Sequence, residues 1–392
     1  MPTSLISTGV QFPDSTIQTT AGGAAAPAGT ISFIAGTTTP TGYLPCDGAV
    51  YTQSTYPQLF ARLGTIINAG TSGWTGVNPL GTNSYTVSYI SQNNKFYVGF
   101  SGTTIYDSSD GANWSANTTT GTGQNFFGMM YGNGVYATVG TNSTYVTSST
   151  GASGSWTQRS YLAGVGFNGW FGLFANGIFM VGGSGAVLTS TTALTNSWTV
   201  RTYSGVGGAG SSQVNYMAYN AGTWVLFLGN GTAYSKDNGV TWAGRSIGSN
   251  KCGTWGGGYF LNIDGTGTIS YSYNGITWTN HPTLHPAGAS VQSVNFMNGR
   301  WFSGDNSGNG WWSSDGLNWT SIGSVGVTGG VSYFAANSSV VVAAGARGGG
   351  SIPVGYVSGY TYNTSTQFVT PTQIASNPTS GNMGLYIKSS NN

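Results

Sequence analysis

An eight-residue stretch in the middle of the chain, Ser235 to Trp242, constrains the fold more than any other feature. It reads S-K-D-N-G-V-T-W, with a serine, an acid, a glycine and a tryptophan at fixed offsets. Ser and Asp side chains bond back to nearby backbone amides, and Gly239 accepts the positive φ of a tight turn. The stretch therefore predicts a turn between two antiparallel strands, with Trp242 as an apolar plug.

Looser copies of this turn recur along the chain. Three have lost one residue between the acid position and the glycine, at 108–114, 272–278 and 313–319, and two longer ones without an acid end at 156 and 198. Ahead of these tryptophans lie apolar runs broken by a tight turn, often Asn-Gly, which is a strong hairpin signal. Each repeat unit is thus predicted to supply two hairpins.

The spacing of the repeat tryptophans indicates the architecture. Successive members are separated by 40, 42, 42, 44, 36 and 41 residues, which is the period of a four-stranded propeller blade. The members are Trp74, Trp114, Trp156, Trp198, Trp242, Trp278 and Trp319. Nothing before Trp74 supplies three strands, whereas three strands without a fourth follow Trp319. We therefore expect the Trp74 strand to close the ring, giving an all-β, seven-bladed propeller over residues 73–358.

The turn pattern resembles the Asp-box, or BNR, repeat, whose copies lie between the third and fourth strands of propeller blades. The resemblance implies a fold but hardly any function. Asp110, Asp237 and Asp315 are the acids at the Asp-box position, and we interpret them as structural turn-formers, as we interpret the repeat tryptophans as packing residues. Tyr136, Phe179, Trp224 and Trp301, which follow the hairpin turns, are expected to pack between blades.

Composition excludes several classes of function. Charged residues make up 5% of the 392 residues and the formal net charge is +2, so no basic field attracts nucleic acid or anionic lipid. No apolar run reaches the length of a membrane span, and no charged-then-apolar leader opens the sequence, so we expect neither membrane insertion nor export. Cys46 and Cys252 have no partner pattern, and no disulfide between them is expected.

The two ends of the chain carry a second resemblance. Residues 29–64 include the segments GTISFIAG, PTGYLPCDG and YPQLFARLG, which resemble the phage tail collar domain in order and spacing. Its missing second half is found in TQFVTP, at 366–371, and GLYIK, at 384–388. We therefore predict a collar domain in two parts, 29–72 and 359–392, into which the propeller is inserted. Residues 1–28, with the FPDSTIQTTA run, resemble an attachment arm of phage tail fibres and end in a linker.

Chemical turnover is not favoured by the residues present. Sialidases built on Asp-box propellers use an arginine triad and a Tyr nucleophile activated by Glu, but this chain has six Arg and no Glu. Arg159, Arg201 and Arg245 each follow a repeat tryptophan by three residues, which predicts outer fourth strands instead of a converging triad. His281 and His285 are flanked by prolines, and no third ligand is near, so neither a metal nor another cofactor is expected.

The resemblances imply a virion protein of the phage tail, a tail fibre or receptor-binding protein without enzymatic activity. Its expected partners are a host surface receptor, most simply a glycan, other tail proteins and further copies of itself, as a trimer. A sialidase-like glycan-degrading enzyme and a purely structural tail component are the alternatives. Recognition is expected on the propeller face opposite the Asp boxes, where variable loops lie. The candidate contact residues are Tyr161, Trp170, Tyr203, Asp264, His281, His285, Asp305, Asn306 and Arg347.

Overall fold

The structure, a computed structural model, divides into two compact units. One comprises Met1–Ile66 with Tyr362–Asn392, and the other Ile67–Thr361. The residues that the structure describes are 4–6, 9–11, 17–18, 31–35, 41–45, 50–63, 74–77, 84–100, 104–118, 125–161, 166–203, 212–245, 250–327, 329–337, 340–345, 354–358, 367–369 and 383–388.

The N-terminal part of the first unit contains short strands and one helix. An antiparallel sheet is formed by β1 (Ser4–Ile6), β2 (Gly9–Gln11) and β3 (Ile17–Gln18). Then come β4 (Ile31–Ala35), β5 (Tyr43–Pro45), β6 (Val50–Thr52) and helix α1 (Pro57–Leu63). The helix buries Leu59 completely, in a cluster with Leu44. This agrees with the apolar face that the spacing of Tyr56, Leu59 and Phe60 predicts.

The second unit is a β-propeller, and six of its blades are each built from four consecutive strands. The chain enters it through β7 (Thr75–Val77). The first two blades are β8 (Ser84–Ile90), β9 (Lys95–Phe100), β10 (Thr104–Ser108), β11 (Ser115–Thr118), and β12 (Phe126–Gly132), β13 (Val135–Gly140), β14 (Thr144–Ser148), β15 (Thr157–Ser160). The next two are β16 (Phe171–Ala175), β17 (Ile178–Gly182), β18 (Ala186–Ser190), β19 (Thr199–Thr202), and β20 (Val214–Asn220), β21 (Thr223–Leu228), β22 (Gly231–Ser235), β23 (Ala243–Arg245).

The last two of these six blades continue the same order. They are β24 (Asn250–Gly256), β25 (Tyr259–Asp264), β26 (Ile269–Ser272), β27 (Thr279–Asn280), and β28 (Val291–Met297), β29 (Arg300–Asp305), β30 (Asn309–Ser313), β31 (Thr320–Ser324). A 3-10 turn at Gly288–Ser290 precedes β28. Each first strand packs beside the first strand of the next blade, so the first strands surround the axis and the fourth strands lie outermost.

A further four-stranded sheet combines both ends of the propeller unit. It consists of β32 (Tyr333–Ala336), β33 (Val340–Ala344), β34 (Val354–Ser358) and, as its fourth strand, β7. Tyr356 of β34 pairs with Thr75 of β7, and β32 packs beside both β28 and β8. The predicted pairing of the Trp74 strand with the C-terminal strands is confirmed. Six blades are thus continuous in the chain, and a count of seven depends on whether this composite sheet is counted as a blade.

Local sequence explains why the strands form hairpins. Asn133 and Asn176 have φ values of 48° and 49°, and the glycines that follow them, Gly134 and Gly177, have values of 79° and 78°. Two successive positive φ values define the turn that matches the twist of antiparallel strands. The aromatic side chains that follow the turns pack into clusters between the strands, and all are 2% exposed or less: Tyr136, Phe179, Trp224 and Trp301.

The C-terminal strands pair with strands near the N-terminus. β35 (Gln367–Val369) pairs with β6, and β36 (Met383–Lys388) lies between β4 and β5. Residues far apart in sequence therefore share two small sheets in the first unit. No helix in the described part of the chain is long and apolar enough to cross a membrane. Cys252 is a free, buried thiol, whereas Cys46 lies outside the described residues.

Candidate functional site

The propeller unit has two faces that differ in their connections. In the fifth blade, the hairpin turn at 257–258 and the turn at 273–278 lie on one face, which we call the turn face. The turn at 265–268 and the crossover at 281–290 lie on the other, which we call the loop face. Because all strands are antiparallel to their neighbours, the other blades divide in the same way.

The turns that end in a repeat tryptophan lie on the turn face. In the fullest copy, Ser235 Oγ accepts a hydrogen bond from Gly239 N at 2.8 Å, and Asp237 Oδ1 accepts one from Thr241 N at 2.9 Å. Trp242 Nε1 donates to the carbonyl oxygen of Gly239 at 3.0 Å. Desolvation raises the pKa of Asp237, but hydrogen bonds from Thr241 and Ser235 outweigh it and lower the pKa to about 2.

The shortened copies repeat this hydrogen bonding. Asp110 Oδ1 accepts from Ala112 N and Asn113 N, and Asp315 Oδ1 accepts from Leu317 N and Asn318 N. In the fifth blade Asn274 takes the place of the acid and accepts two backbone N–H groups at 2.9 Å. The acid therefore acts as an acceptor for its own turn, and an amide oxygen performs the same task.

Two tyrosines predicted to contact a receptor are buried instead. Tyr161 is fully buried, its hydroxyl accepts a hydrogen bond from Gly140 N, and its ring stacks on Tyr145 at 4.4 Å. Tyr203 is 3% exposed, and its hydroxyl accepts from Gly185 N at 2.9 Å. Burial raises the pKa of Tyr203 to about 12. Each of the two side chains folds back under its loop, where its hydroxyl accepts a hydrogen bond from a backbone N–H group. For this reason neither hydroxyl faces the solvent.

His285 is also buried, and it anchors the crossover at 281–290. Its ring lies 4.8 Å from that of Trp319, Ala287 N donates to its Nδ1 at 3.1 Å, and Ser303 Oγ lies 2.7 Å from its Nε2. Because Nδ1 accepts a hydrogen bond in the neutral ring, Nε2 carries the proton and donates a hydrogen bond to Ser303 Oγ. Desolvation lowers the pKa of His285 to about 4, although Asp305 acts in the opposite direction. His285 is therefore a neutral structural residue and is not available as a receptor contact.

The predicted acids on the loop face cap turns. Asp305 is 6% exposed, and its carboxylate accepts hydrogen bonds from Ser307 N, Asn309 N and Asn309 Nδ2. Asp264 Oδ1 accepts from Thr266 N and Thr268 N. The candidate receptor contact Asp305 is therefore a buried turn cap, which corrects the prediction. The reason is that a 2–3 turn leaves backbone N–H groups that a carboxylate can satisfy.

The exposed part of the loop face lies around the anchored crossover. Leu284 is 54% exposed, and His281, whose Nδ1 accepts from Thr283 N, is half-buried. Asn306 is exposed, and its backbone N–H donates to the carbonyl oxygen of Ser290 at 2.9 Å. This bond ties the 2–3 turn of the sixth blade to the crossover. The two segments therefore form a fixed surface.

Two further predicted contacts have other outcomes. Trp170 is half-buried, with its ring 5.1 Å from that of Phe127, so most of its surface packs within the propeller. Arg347 lies outside the described residues.

The ring axis is filled by aromatic side chains near the loop face. Phe171, Tyr216 and Tyr333 come from three different sheets, with ring centroids 5.3 Å to 6.1 Å apart. Tyr216 Oη has a single proton to donate, and it lies 3.0 Å and 2.9 Å from the backbone carbonyl oxygens of Gln292 and Ser332. These three aromatic rings therefore close the centre of the ring of blades at this depth.

The residues that hydrolysis or metal binding would need do not converge in the described part of the chain. Arg159, Arg201 and Arg245 lie on β15, β19 and β23, which are outermost strands. No cluster of three or more His, Cys, Asp or Glu side chains suited to a metal ion occurs among the described residues.

Sequence reasoning missed a second aromatic position in each of the six continuous blades. The residue two places before each hairpin turn packs against the aromatic two places after it, with ring centroids 4.6 Å to 5.2 Å apart. The pairs are Tyr89–Phe96, Tyr131–Tyr136, Phe174–Phe179, Tyr219–Trp224, Trp255–Phe260 and Phe296–Trp301. The sequence signal for these pairs is an aromatic residue on each side of the hairpin turn. Residues at these two positions lie directly opposite each other in the hairpin, so their rings pack together.

Solved structures share the propeller architecture. YCF48 from Cyanidioschyzon merolae aligns with a TM-score of 0.57 and 14% identity, covering 73% of this chain and 98% of that one. YCF48 bound to D1 peptide gives 0.58 and 15%, covering 74% and 99%. Virginiamycin B lyase from Staphylococcus aureus, a catalytically inactive variant with quinupristin, gives 0.59 and 7%, covering 72% and 98%. At these low identities, the structural alignments show a common fold and nothing about function.

Sequence comparison informs the N-terminal region. No curated protein matches the chain. The Phage Tail Collar Domain matches residues 29–79, a region that includes β4, β5, β6 and α1 and extends to β7. A collar domain implies association with other tail components, and it indicates that this chain is a component of the virion tail.

Proposed function

We propose that this tail protein binds a host surface structure, a glycan, through the loop face of its propeller and without chemical turnover. The observation that carries the proposal is the crossover at 281–290. His285 fixes it from below, while Leu284 and the neighbouring Asn306 stay exposed. A rigid element that presents an apolar side chain beside amide and hydroxyl groups suits the two sides of a sugar ring.

The connections of the propeller support the choice of face. β34 ends and β7 begins at the turn-face end of the composite sheet, as their register shows. The outer ends of both terminal strands of this unit therefore lie at the turn face. We count the composite sheet as the seventh blade, since it packs beside both β28 and β8. The pairing of β35 and β36 with β6, β4 and β5 supports insertion of the propeller into the collar domain.

The engagement of the acids supports binding without turnover. Every Asp among the described residues contacts the protein itself: Asp107 pairs with Lys95, and the others accept hydrogen bonds in turns, namely Asp110, Asp237, Asp264, Asp305 and Asp315. A glycosidase of the usual kind needs two carboxyl groups on either side of one bond. These carboxylates are instead engaged by donors of the protein itself.

A pair of leucine variants tests the proposed face. Leu284→Asp places a charge on the loop face, whereas Leu194→Asp changes a leucine that is 43% exposed in a 3–4 turn of the turn face. We expect the purified wild-type protein to block phage adsorption to host cells, and Leu284→Asp to weaken this at least about tenfold, about 1.4 kcal/mol of binding free energy. Leu194→Asp should compete like the wild type. If Leu194→Asp alone weakened competition, the loop face would be the wrong assignment.

The alternatives give different results in the same system. Release of reducing sugar from host envelope fractions would support the glycan-degrading enzyme, and the absence of any envelope binding would support a purely structural component.

We also propose that the chain associates as a trimer, by resemblance to phage fibres built on threefold axes. Light scattering at micromolar concentration should give about three times the chain mass of 40.3 kDa, and a mass of 40.3 kDa would contradict the trimer.

A further inference from the structure

A polar pocket lies on the turn face between the third and fourth blades. Its volume is about 270 Å³, and it is lined by Ile178, Thr189, Ser190, Thr191, Ser197, Thr199, Arg201, Asn238 and Val240. These residues come from the strands and 3–4 turn of the third blade and from the 3–4 turn of the fourth. The volume is slightly below the roughly 300–1,000 Å³ of drug-sized ligand sites, which suits a group of monosaccharide size.

Arg201 distinguishes this pocket from the equivalent places in other blades. Its Nε is buried and has no hydrogen-bond partner. Arg159, at the same offset from its tryptophan in the second blade, donates from Nε to Thr147 Oγ1 at 3.2 Å. In the fourth blade the guanidinium of Arg245 lies over the ring of Tyr234 at 5.5 Å. Of these three repeat-equivalent arginines, Arg201 is the one whose Nε is buried without a hydrogen-bond partner and whose side chain lines this pocket.

The surroundings of Arg201 do not neutralise it. Among the described residues, no carboxylate forms an ion pair with it. Asp237, next to the pocket residue Asn238, uses its oxygens for Ser235 and Thr241. An unpaired buried guanidinium nitrogen is costly unless an acceptor supplies the missing bond.

The rest of the lining determines what kind of acceptor fits. Thr189 and Thr199 are directly opposite each other in β18 and β19, and Arg201 lies two residues further along β19. Two hydroxyls and a guanidinium are therefore available along one strip of the pocket, with the apolar side chains of Ile178 and Val240 also in the lining. A planar guanidinium recognises a carboxylate with two parallel hydrogen bonds, and threonines recognise hydroxyl groups.

We propose that this pocket binds an acidic monosaccharide unit, with the sugar carboxylate on Arg201 and sugar hydroxyls on Thr189 and Thr199. The site is on the opposite face from the proposed receptor surface and does not depend on it. A uronic acid of a host or capsular polysaccharide is the simplest ligand of this chemistry.

The test uses the full chain and small probes. Glucuronate and galacturonate, titrated by calorimetry and saturation-transfer NMR, should bind, whereas glucose and inorganic phosphate should bind at least about tenfold more weakly, since one lacks the charge and the other the ring. Arg201→Lys should weaken uronate binding at least about tenfold, because Lys cannot form the bidentate pair.

Two further variants separate recognition from folding. Thr189→Val removes one hydroxyl at nearly constant volume and should weaken binding with little change in Tm. Arg159→Lys changes the equivalent arginine of the second blade and should leave uronate binding unchanged. Failure of both uronates to bind the folded wild type, or binding of phosphate as tight as that of glucuronate, would overturn the proposal. Since host adsorption is not measured, neither outcome bears on the loop face.

Discussion

The two histidines of the chain lie four residues apart in one crossover and have different environments. His281 is half-buried, whereas His285 is 1% exposed between tryptophan rings and a serine hydroxyl. The sequence places both in a proline-flanked loop but does not show which ring points inward. Because His285 is buried and His281 is not, only His285 fixes the crossover to the propeller.

The buried histidine predicts how stability depends on pH. The pKa of His285 is about 4 in the folded protein and 6.5 without the fold, so the unfolded chain binds more protons between these values. The free energy of unfolding should therefore be highest above pH 6.5 and should decrease by about 2–3 kcal/mol as the pH falls to 4. Urea unfolding at several pH values measures this.

Two substitutions assign that pH dependence. His285→Gln should be less stable at pH 7 but should lose most of the slope between pH 6.5 and 4, while His281→Gln should keep it. The acids of the turns act in a different range, since the pKa values of Asp110 and Asp237 are lowered to about 2 and their contribution is lost only as the pH falls below about 4. An unchanged slope in His285→Gln would refute the assignment.

Turns and hairpins show what a short segment can determine alone. In the three 3–4 turns that have an acid, the serine and the acid accept hydrogen bonds from amides within four residues, so the residues of one short segment determine the turn. Asn274 accepts the same backbone bonds in the fifth blade, so an uncharged acceptor oxygen is sufficient there.

A substitution at Asp315 tests this requirement. Asp315→Ala removes the acceptor of Leu317 N and Asn318 N and should lower the free energy of unfolding by about 0.5–2 kcal/mol, as lost caps do. Asp315→Asn keeps the acceptor and should cost less than half of that. Thermal or urea unfolding gives both values, and equal losses for Ala and Asn would show that the charge matters. Receptor binding should be unaffected by either change.

Packing between blades is tested by two glycines of β12. A Cβ at Gly132 would lie 2.2 Å from the ring of Phe174 in the next blade, whereas at Gly128 it would meet only a methyl of Val139 at 3.7 Å. Gly132→Ala should therefore destabilise the propeller by about 1–3 kcal/mol through overpacking. Gly128→Ala should be nearly neutral. Similar unfolding curves for the two variants would mean that the blades adjust to each other freely.

At the scale of the whole molecule, the composite sheet joins the two ends of the propeller unit. Trp74, just before β7, packs with its ring 6.0 Å from that of Phe334 in β32. Without β7, the strand β34 would present a free edge, which favours aggregation.

Truncation tests this closure. A fragment of residues 81–358 lacks β7 and should aggregate or melt without cooperativity in calorimetry, whereas a fragment that begins before Trp74 should be more soluble. A soluble, cooperatively melting 81–358 fragment would contradict closure through β7.

The sequence by itself determined the features that depend on a few neighbouring residues. The 3–4 turns, the Asn-Gly hairpins and the repeat period follow from side chains that bond or pack within one segment, and the pairing of β7 with β34 follows from counting strands. The C-terminal GLYIK segment lies in β36, which pairs with β4 and β5, while the division of the collar domain into two parts stays a prediction.

Only the tertiary structure decided which polar side chains are exposed. Tyr161, Tyr203, His285 and Asp305 occupy loops in the sequence, yet each folds against backbone or rings supplied by residues 2 to 34 positions away. The open donor of Arg201 likewise depends on how two blades meet, since its repeat equivalents Arg159 and Arg245 find partners. Whether a loop side chain is exposed depends on its neighbours in the folded chain, and the loop sequence alone does not identify those neighbours.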